Sequence, residues 1–320
     1  MFNGELLAAA LSGEPQSRFG SVFWKHFPTD AQLGDAALAA HAEWVEETHP
    51  LIVKAMNEQL YPHGDEFARA SDWATVTPYE PDHPALQAQV DLVTRLIAEF
   101  GEDLPVFATV HGVTASAFHA RGGPNDYEER RHQLTDALRA DPVTVGSAFD
   151  VIGASLLAQT TAMLDAGVDG IYLAALGGES SNFTREEFER HIRPHDLAIL
   201  EATRAVGRLS FLHICKEDID LARYAGYPVD IVQVALHLNP ITEAQMREAF
   251  PGAVVVGGID NFDPYFLGAG DPADAESLAT GAISSMTRSR TIIGADCSLP
   301  DTTPADVVGR LASAISTLSS

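Results

Sequence analysis

Ser210-Phe-Leu-His-Ile-Cys215, Ile231-Val-Gln-Val-Ala-Leu236, Ala253-Val-Val-Val-Gly-Gly-Ile259 and Thr291-Ile-Ile-Gly-Ala-Asp-Cys297 decide the fold. Each is a short, nearly continuous apolar run rather than an alternating one, the pattern of a strand buried on both faces. Segments of helical period separate and follow them: Asp218–Ala225, Thr242–Phe250, Pro272–Met286 and Pro304–Leu318. Strands joined only through helices run parallel. Asp271 is placed to cap the third of these helices, and Pro272 and Pro304 sit at first helical positions, where proline is best tolerated.

The same alternation extends towards the N-terminus. Strand Gly170–Leu176 leads into helix Thr184–Ala205, where Thr184 and Glu187 stand at capping-box spacing and Pro194 should kink or split the helix. Earlier strands are predicted at Ser21–Phe27, Leu51–Met56 and Val106–Val113, with helices at Asp30–Glu47, Ala85–Phe100 and Thr144–Ala166. A loop is predicted over Arg121–Arg131. Eight β-α units point to the α/β class and to a single (β/α)8 TIM barrel over residues 1–320. An open doubly wound sheet would carry a glycine-rich phosphate turn after its first strand, and none is present. The length of 320 residues suits one such barrel, and no break in composition marks a second domain.

Apolar residues make up 46% of the chain, enough for a large core and too many for disorder. Acidic residues outnumber basic ones 45 to 20, for a formal charge of −25, which argues against nucleic-acid and anionic-membrane partners. The run Leu6–Leu11 is short, begins beside Glu5 and lacks a basic leader, so it does not read as a signal peptide. No apolar stretch approaches the roughly 20 residues of a membrane span. Two cysteines, Cys215 and Cys297, are too few for a disulfide scaffold, and the expected location is cytoplasmic.

In a parallel barrel the chemistry sits at the carboxyl ends of the strands. The two cysteines and the only three lysines, Lys25, Lys54 and Lys216, all fall there. His213 and Cys215, two apart on one strand, point to the same side. Cys297 ends another strand that converges on the same mouth. One imidazole and two thiolates suit Zn2+ with an open fourth position, the signature of a catalytic site. The alternative is two cysteines packed as small hydrophobes beside a hydrogen-bonded histidine. His111, Glu179, His237 and Asp260 also follow strands, as do Asn239 and Asp296, which read better as cap or loop hydrogen-bonding groups. The patch Phe23-Trp24-Lys25-His26-Phe27 suits an anion on the substrate, or a lysine snorkelling from an aromatic edge. Charge runs such as Glu128-Glu129-Arg130-Arg131 read as solvated helix faces.

Asp169-Gly-Ile-Tyr172, Phe211-Leu-His-Ile-Cys215, Val256-Gly-Gly-Ile-Asp260 and Gly294-Ala-Asp-Cys-Ser-Leu-Pro-Asp-Thr-Thr-Pro304 resemble the uroporphyrinogen decarboxylase superfamily, whose fold is a (β/α)8 barrel. One branch of it decarboxylates uroporphyrinogen without a metal. Another consists of zinc-dependent methyltransferases that move a methyl group from a methylated corrinoid to a thiol such as coenzyme M, with zinc held by a His-x-Cys pair and a distant Cys. His213, Cys215 and Cys297 match that second pattern. The resemblance therefore implies a zinc-dependent methyltransferase that takes a methyl group from a methylcobamide to a small thiol, with a corrinoid protein as partner. Glu217 or Asp260 would balance charge or supply a fourth ligand, with His237 beside them, while Lys25 or Lys54 would hold an anionic tail; His26, His111 and Glu179 complete the expected substrate contacts. Two departures stand out. Lys216 and Glu217 follow the pair where the methyltransferases usually have Gly, and the place near the first strand where the decarboxylases carry an arginine is Trp24-Lys25-His26-Phe27, with none. The alternatives are a decarboxylase of uroporphyrinogen or another small carboxylate, and a barrel that binds a tetrapyrrole or corrinoid without turnover.

Overall fold

The structure is a computed structural model and describes the chain apart from residues 1–2, 60, 62–66, 68, 81, 121–126, 269 and 319–320. Among the described residues eight strands form one sheet: β1 (Ser21–Val22), β2 (Val53–Ala55), β3 (Val106–His111), β4 (Gly170–Ala175), β5 (Leu209–Ile214), β6 (Ile231–Val234), β7 (Val254–Ile259) and β8 (Thr291–Ala295). Their order is β1-β8-β7-β6-β5-β4-β3-β2, and every pair is parallel. The α/β class and the parallel strands thus agree with the apolar patterning. β6 and β8 are buried at every position, as expected for strands covered on both sides.

The sheet curls. Trp24, just past β1, packs edge-on against Tyr172 of β4 at 5.2 Å and Phe211 of β5 at 5.9 Å between ring centroids. β1 and β5 lie far apart in strand order, so these rings meet only across a concave interior. The sheet's two end strands also approach each other, because Leu51 N donates to Ser21 O at 3.0 Å.

β1 and β2 are shorter than predicted. The expected run to Phe27 leaves the ladder after Val22 but stays extended beside the segment following β8, through an isolated bridge between Lys25 and Leu299 and a bond from Leu299 N to Trp24 O. The predicted helix Asp218–Ala225 is a single 3-10 turn, Leu221–Tyr224. Its would-be first turn is committed elsewhere: Glu179 and Ile219 form an antiparallel bridge, and Ser180 N donates to Asp218 O. Helix Tyr127–Ala140 occupies part of the predicted loop, whose residues 121–126 lie outside the described residues. The long helix splits as Pro194 implies, into Arg185–His191 and Arg193–Ala205, and Thr184 with Glu187 forms the capping box.

Leu6 and Leu7 are buried on helix Asn3–Ser12, which packs against β8. The expectation that no segment reaches membrane-spanning length needs correction. Helix Pro142–Asp165 has that length and hydropathy. Its buried face, including Phe149, Ile152 and Leu156, packs under the surrounding helices, so fold burial accounts for its apolar character.

Gly309 lets helix Ala305–Leu318 approach helix Gly34–Thr48, since a Cβ there would lie 2.2 Å from Glu47 O. Gly281, in helix Pro272–Ser285, has nothing within 4 Å of the corresponding point. Urea denaturation of the two alanine variants should therefore give opposite signs. Gly309→Ala should lose about 1–3 kcal/mol, and Gly281→Ala should gain about 0.5–1 kcal/mol.

Candidate metal centre and its cavity

His213 lies near the end of β5, with Cys215 one residue past the strand and Cys297 two residues past β8. These strands are separated by β6 and β7 in the sheet, yet the three side chains meet. Cys215 Sγ is 3.5 Å from Cys297 Sγ, which is 3.5 Å from His213 Nε2, and all three donor atoms lie within 4.8 Å of one another. Tetrahedral zinc, with bonds of about 2.3 Å to sulfur and about 2.0 Å to nitrogen, sets S···S near 3.8 Å and S···N near 3.5 Å. The donor set fits such an ion in both chemistry and spacing. His213 is buried and stacks on Tyr172, with centroids 5.6 Å apart and planes at 22°, which limits rotation of the imidazole.

These side chains form one wall of a cavity of about 450 Å³ at the carboxyl end of the sheet. Lys54, His111 and Tyr172 reach it from β2, β3 and β4, and His26 from the segment after β1. A cavity of this size takes a small molecule.

Residues 54–318 match the profile of the uroporphyrinogen decarboxylase (URO-D) family. The chain belongs to that family. Among solved structures, a methyltransferase from Methanosarcina mazei is similar over 98% of each chain, with a TM-score of 0.73 at 15% identity. A Listeria monocytogenes structure described as a candidate vitamin-B12 independent methionine synthase has a TM-score of 0.54 at 11% identity, over 94% of this chain and 98% of its own. At such identities both are likenesses of fold. Comparison with curated proteins finds no match.

The URO-D cavity of this chain has an unusual electrostatic lining. Lys54 Nζ sits 4.4 Å from the Tyr172 ring centre, 5.3 Å from that of Trp24 and 2.9 Å from Met56 Sδ. Burial pushes its pKa down to about 7. Burial also holds His111 well below the usual histidine range and lowers His119 to about 4, so both rings are neutral at pH 7. His26 Nδ1 pairs with Glu58 Oε2 at 2.9 Å, and that hydrogen bond raises the histidine. A hydrogen bond from the Cys215 thiol, helped by His213, holds Cys297 well below the ordinary thiol range. The same hydrogen bond, with burial, pushes the Cys215 thiol well above that range, so the pair gives up one proton readily and holds the other.

Other anticipated residues lie outside the lining. Lys25 Nζ donates to Thr303 O at 2.8 Å and Asp301 O at 3.1 Å, which ties down the loop after β8. Glu179 is buried against Arg131, with Oε1 2.8 Å from Nη2, and accepts from Gly177 N. It braces the loops after β4 and β5. Glu217 is exposed and 3.5 Å from Arg131. His237 Nδ1 lies 3.1 Å from the buried carboxylate of Asp296, whose hydrogen bond raises the imidazole pKa. Asp260 Oδ1 accepts from Phe262 N within its own loop. Asn239 bonds Lys216 O and Ile219 N, the loop role expected of it.

Arg130 and Arg131 correct the reading of their run as a solvated helix face. Arg130 lines the cavity, and Arg131 is 4% exposed. Tyr172, Glu58 and His119 were not singled out from sequence as site residues, since an isolated Tyr, Glu or His carries no motif. Tyr172 lay within a stretch of family resemblance and, at the middle of an apolar strand, offered the best available signal.

Lys54 has a folded-state pKa below its unfolded value of about 10.4. Between pH 7 and 10 the unfolded state binds the extra proton, so this group's contribution to stability falls as pH drops through that window. Lys54→Met should raise stability at pH 7 by about 1–3 kcal/mol, with the difference shrinking towards pH 10. Paired denaturation curves at the two pH values measure it.

Proposed function

We propose that this chain is a zinc-dependent methyltransferase that activates a small thiol to accept a methyl group from a methylated corrinoid. The single observation that carries this reading is the convergence of His213 Nε2, Cys215 Sγ and Cys297 Sγ within 4.8 Å on one wall of a small-molecule cavity. His213, Cys215 and Cys297 would hold the zinc, which when bound supplies a Lewis acid that lowers the pKa of a thiol. We further infer that β1 and β2 close the sheet into a (β/α)8 barrel, in one domain over residues 1–320. The bond between Leu51 N and Ser21 O supports that closure.

The residues of the chain perform the remaining work. In the overall reaction the thiol S–H bond and the cobalt–methyl bond break and an S–CH3 bond forms. The cobalt–carbon electron pair stays on cobalt, and the proton goes to solvent. Lys54 Nζ, with a pKa of about 7, exchanges protons at neutral pH from inside the cavity. His26, half-exposed and bonded to Glu58, lies between the cavity and bulk water. Tyr172 lines the cavity and, packed between Trp24 and His213, holds the imidazole's orientation. Asp260, Glu217 and His237 adjust the charge of the rim, and Glu179 positions the Cys215 loop through Arg131. The two unpaired cysteines accord with a cytoplasmic location, and the corrinoid is delivered by a partner protein.

Decarboxylation of a porphyrinogen or small carboxylate is the second reading. The cationic lining groups Lys54, Lys216 and Arg130 favour it, because they suit carboxylates.

Metal analysis of protein purified without added zinc should find about one zinc per chain, and Cys297→Ser should lose it. Demethylation of methylcobalamin should require both zinc and an added thiol, and should fall by at least about 100-fold in Cys297→Ser. A folded wild type that takes up no zinc on repletion removes the methyltransferase reading. Conversion of uroporphyrinogen to coproporphyrinogen by metal-free protein would establish the second one.

A further inference from the structure

We propose that Gln233 is a positioning residue of the metal centre, its side-chain amide fixing Tyr172, and through it the His213 imidazole, relative to the strand end that carries Cys297; this rests on the zinc reading above. Gln233 stands in the middle of β6, Ile231-Val-Gln-Val234, and is fully buried. A buried amide without partners is costly, so the bonds it makes identify its role.

Both of its polar atoms are paired, and neither partner is on an adjacent strand. From β4, the Tyr172 hydroxyl donates to Gln233 Oε1 at 3.2 Å. Gln233 Nε2 donates to Ala295 O, at the end of β8. A backbone carbonyl only accepts, which fixes the orientation of the amide. β5 stands between β6 and β4, and β7 between β6 and β8. The amide therefore reaches over the concave face to both sides at once.

Those two partners lead to the donor atoms. Cys297 follows Ala295 by two residues. Tyr172 stacks on His213 at 5.6 Å, and its ring is packed against Trp24 and Phe211. A histidine that binds a metal through one ring nitrogen is ordinarily oriented by a hydrogen bond from the other. His213 Nδ1 is buried and has no hydrogen-bond partner among the described residues. The stack on Tyr172 does the orienting instead, and Gln233 anchors the phenol end of that ring.

Packing alone does not ask for an amide here. The other β6 residues, Ile231, Val232 and Val234, are buried with wholly apolar side chains. A methionine at 233 has nearly the same length and would fill the same space, without either hydrogen bond. What the glutamine adds is a tie between the β4–β5 side of the centre, which holds His213, and the β8 side, which leads into Cys297.

The test compares wild type with Gln233→Met, Tyr172→Phe and the double variant, and uses Gly309→Ala as a control destabilised outside the cavity. Chelator competition gives zinc dissociation constants. Visible ligand-field bands of the cobalt-substituted proteins report the ligand arrangement, which a loss of global stability alone does not move. Gln233→Met should weaken zinc binding about tenfold or more and shift the cobalt bands. Tyr172→Phe keeps the stack and loses one hydrogen bond, so it should show a smaller loss in the same direction. The double variant should stay within about twofold of Gln233→Met, because both changes act through one contact. Gly309→Ala should match wild type within about twofold. Wild-type affinity and bands in folded Gln233→Met overturn the proposal and leave the zinc reading standing; if that variant does not fold, the same result in Tyr172→Phe does so. Losses that simply multiply in the double variant, or an equal loss in Gly309→Ala, overturn it as well. Wild type that takes up neither zinc nor cobalt removes both readings.

Discussion

The contact between Cys215 and Cys297, whose sulfurs lie 3.5 Å apart across 82 residues of sequence, is the constraint on which the rest of the structure depends. Two thiols this close at the ends of β5 and β8 require the intervening β6 and β7 to bend the sheet around a common interior. The same curvature lets Trp24 reach Tyr172 and Phe211 across the interior. It also sets the protonation of the pair, since the hydrogen bond between the sulfurs holds the Cys297 thiol well below the ordinary range and pushes the Cys215 thiol well above it. Ligand spacing, burial and acidity all follow from one geometric requirement.

Holding that geometry falls to charged groups behind the cavity. Glu179 and Arg131, both buried, join the loop after β4 to helix Tyr127–Ala140, and Arg223 adds bonds to the carbonyls of Gly177 and Glu179. A buried ion pair of this kind contributes little net stability, but removing one partner strands the other without water. Its value here is positional: the bridge between Glu179 and Ile219 places the loop that begins at Lys216. Asn239 fixes the same loop from the other side. The loop after β5 is thus held by the Glu179–Ile219 bridge on one side and the Asn239 side chain on the other.

The electrostatics are divided between outside and inside. A formal charge of −25 spread over the chain coexists with a cavity whose lining includes Lys54, Lys216 and Arg130, with Glu58 paired to His26. Low dielectric in the interior strengthens each cavity charge and shifts each pKa, and Lys54 shows this most clearly. An acidic exterior of this kind disfavours large polyanions at the surface. Overall charge therefore describes what the surface avoids, and the site chemistry has to be read from the few basic residues that reach the interior.

The amino-acid sequence by itself determined the α/β class, the strand positions from β3 onward and the capped helix starts, because apolar period and capping chemistry act within a few residues. It also determined that His213 and Cys215 face one way, since two residues along a strand always do. Only the tertiary structure decided that Cys297 joins them, that Lys25 and Glu179 are spent on bracing loops, and that Arg130 and Tyr172 belong to the cavity. The length of β1 and the 3-10 turn after β5 were decided there as well, through bonds to segments distant in sequence. The physical reason is the same in each case: strand and helix preferences are local free energies, whereas the orientation of a charged or aromatic side chain is set by partners that only folding brings near.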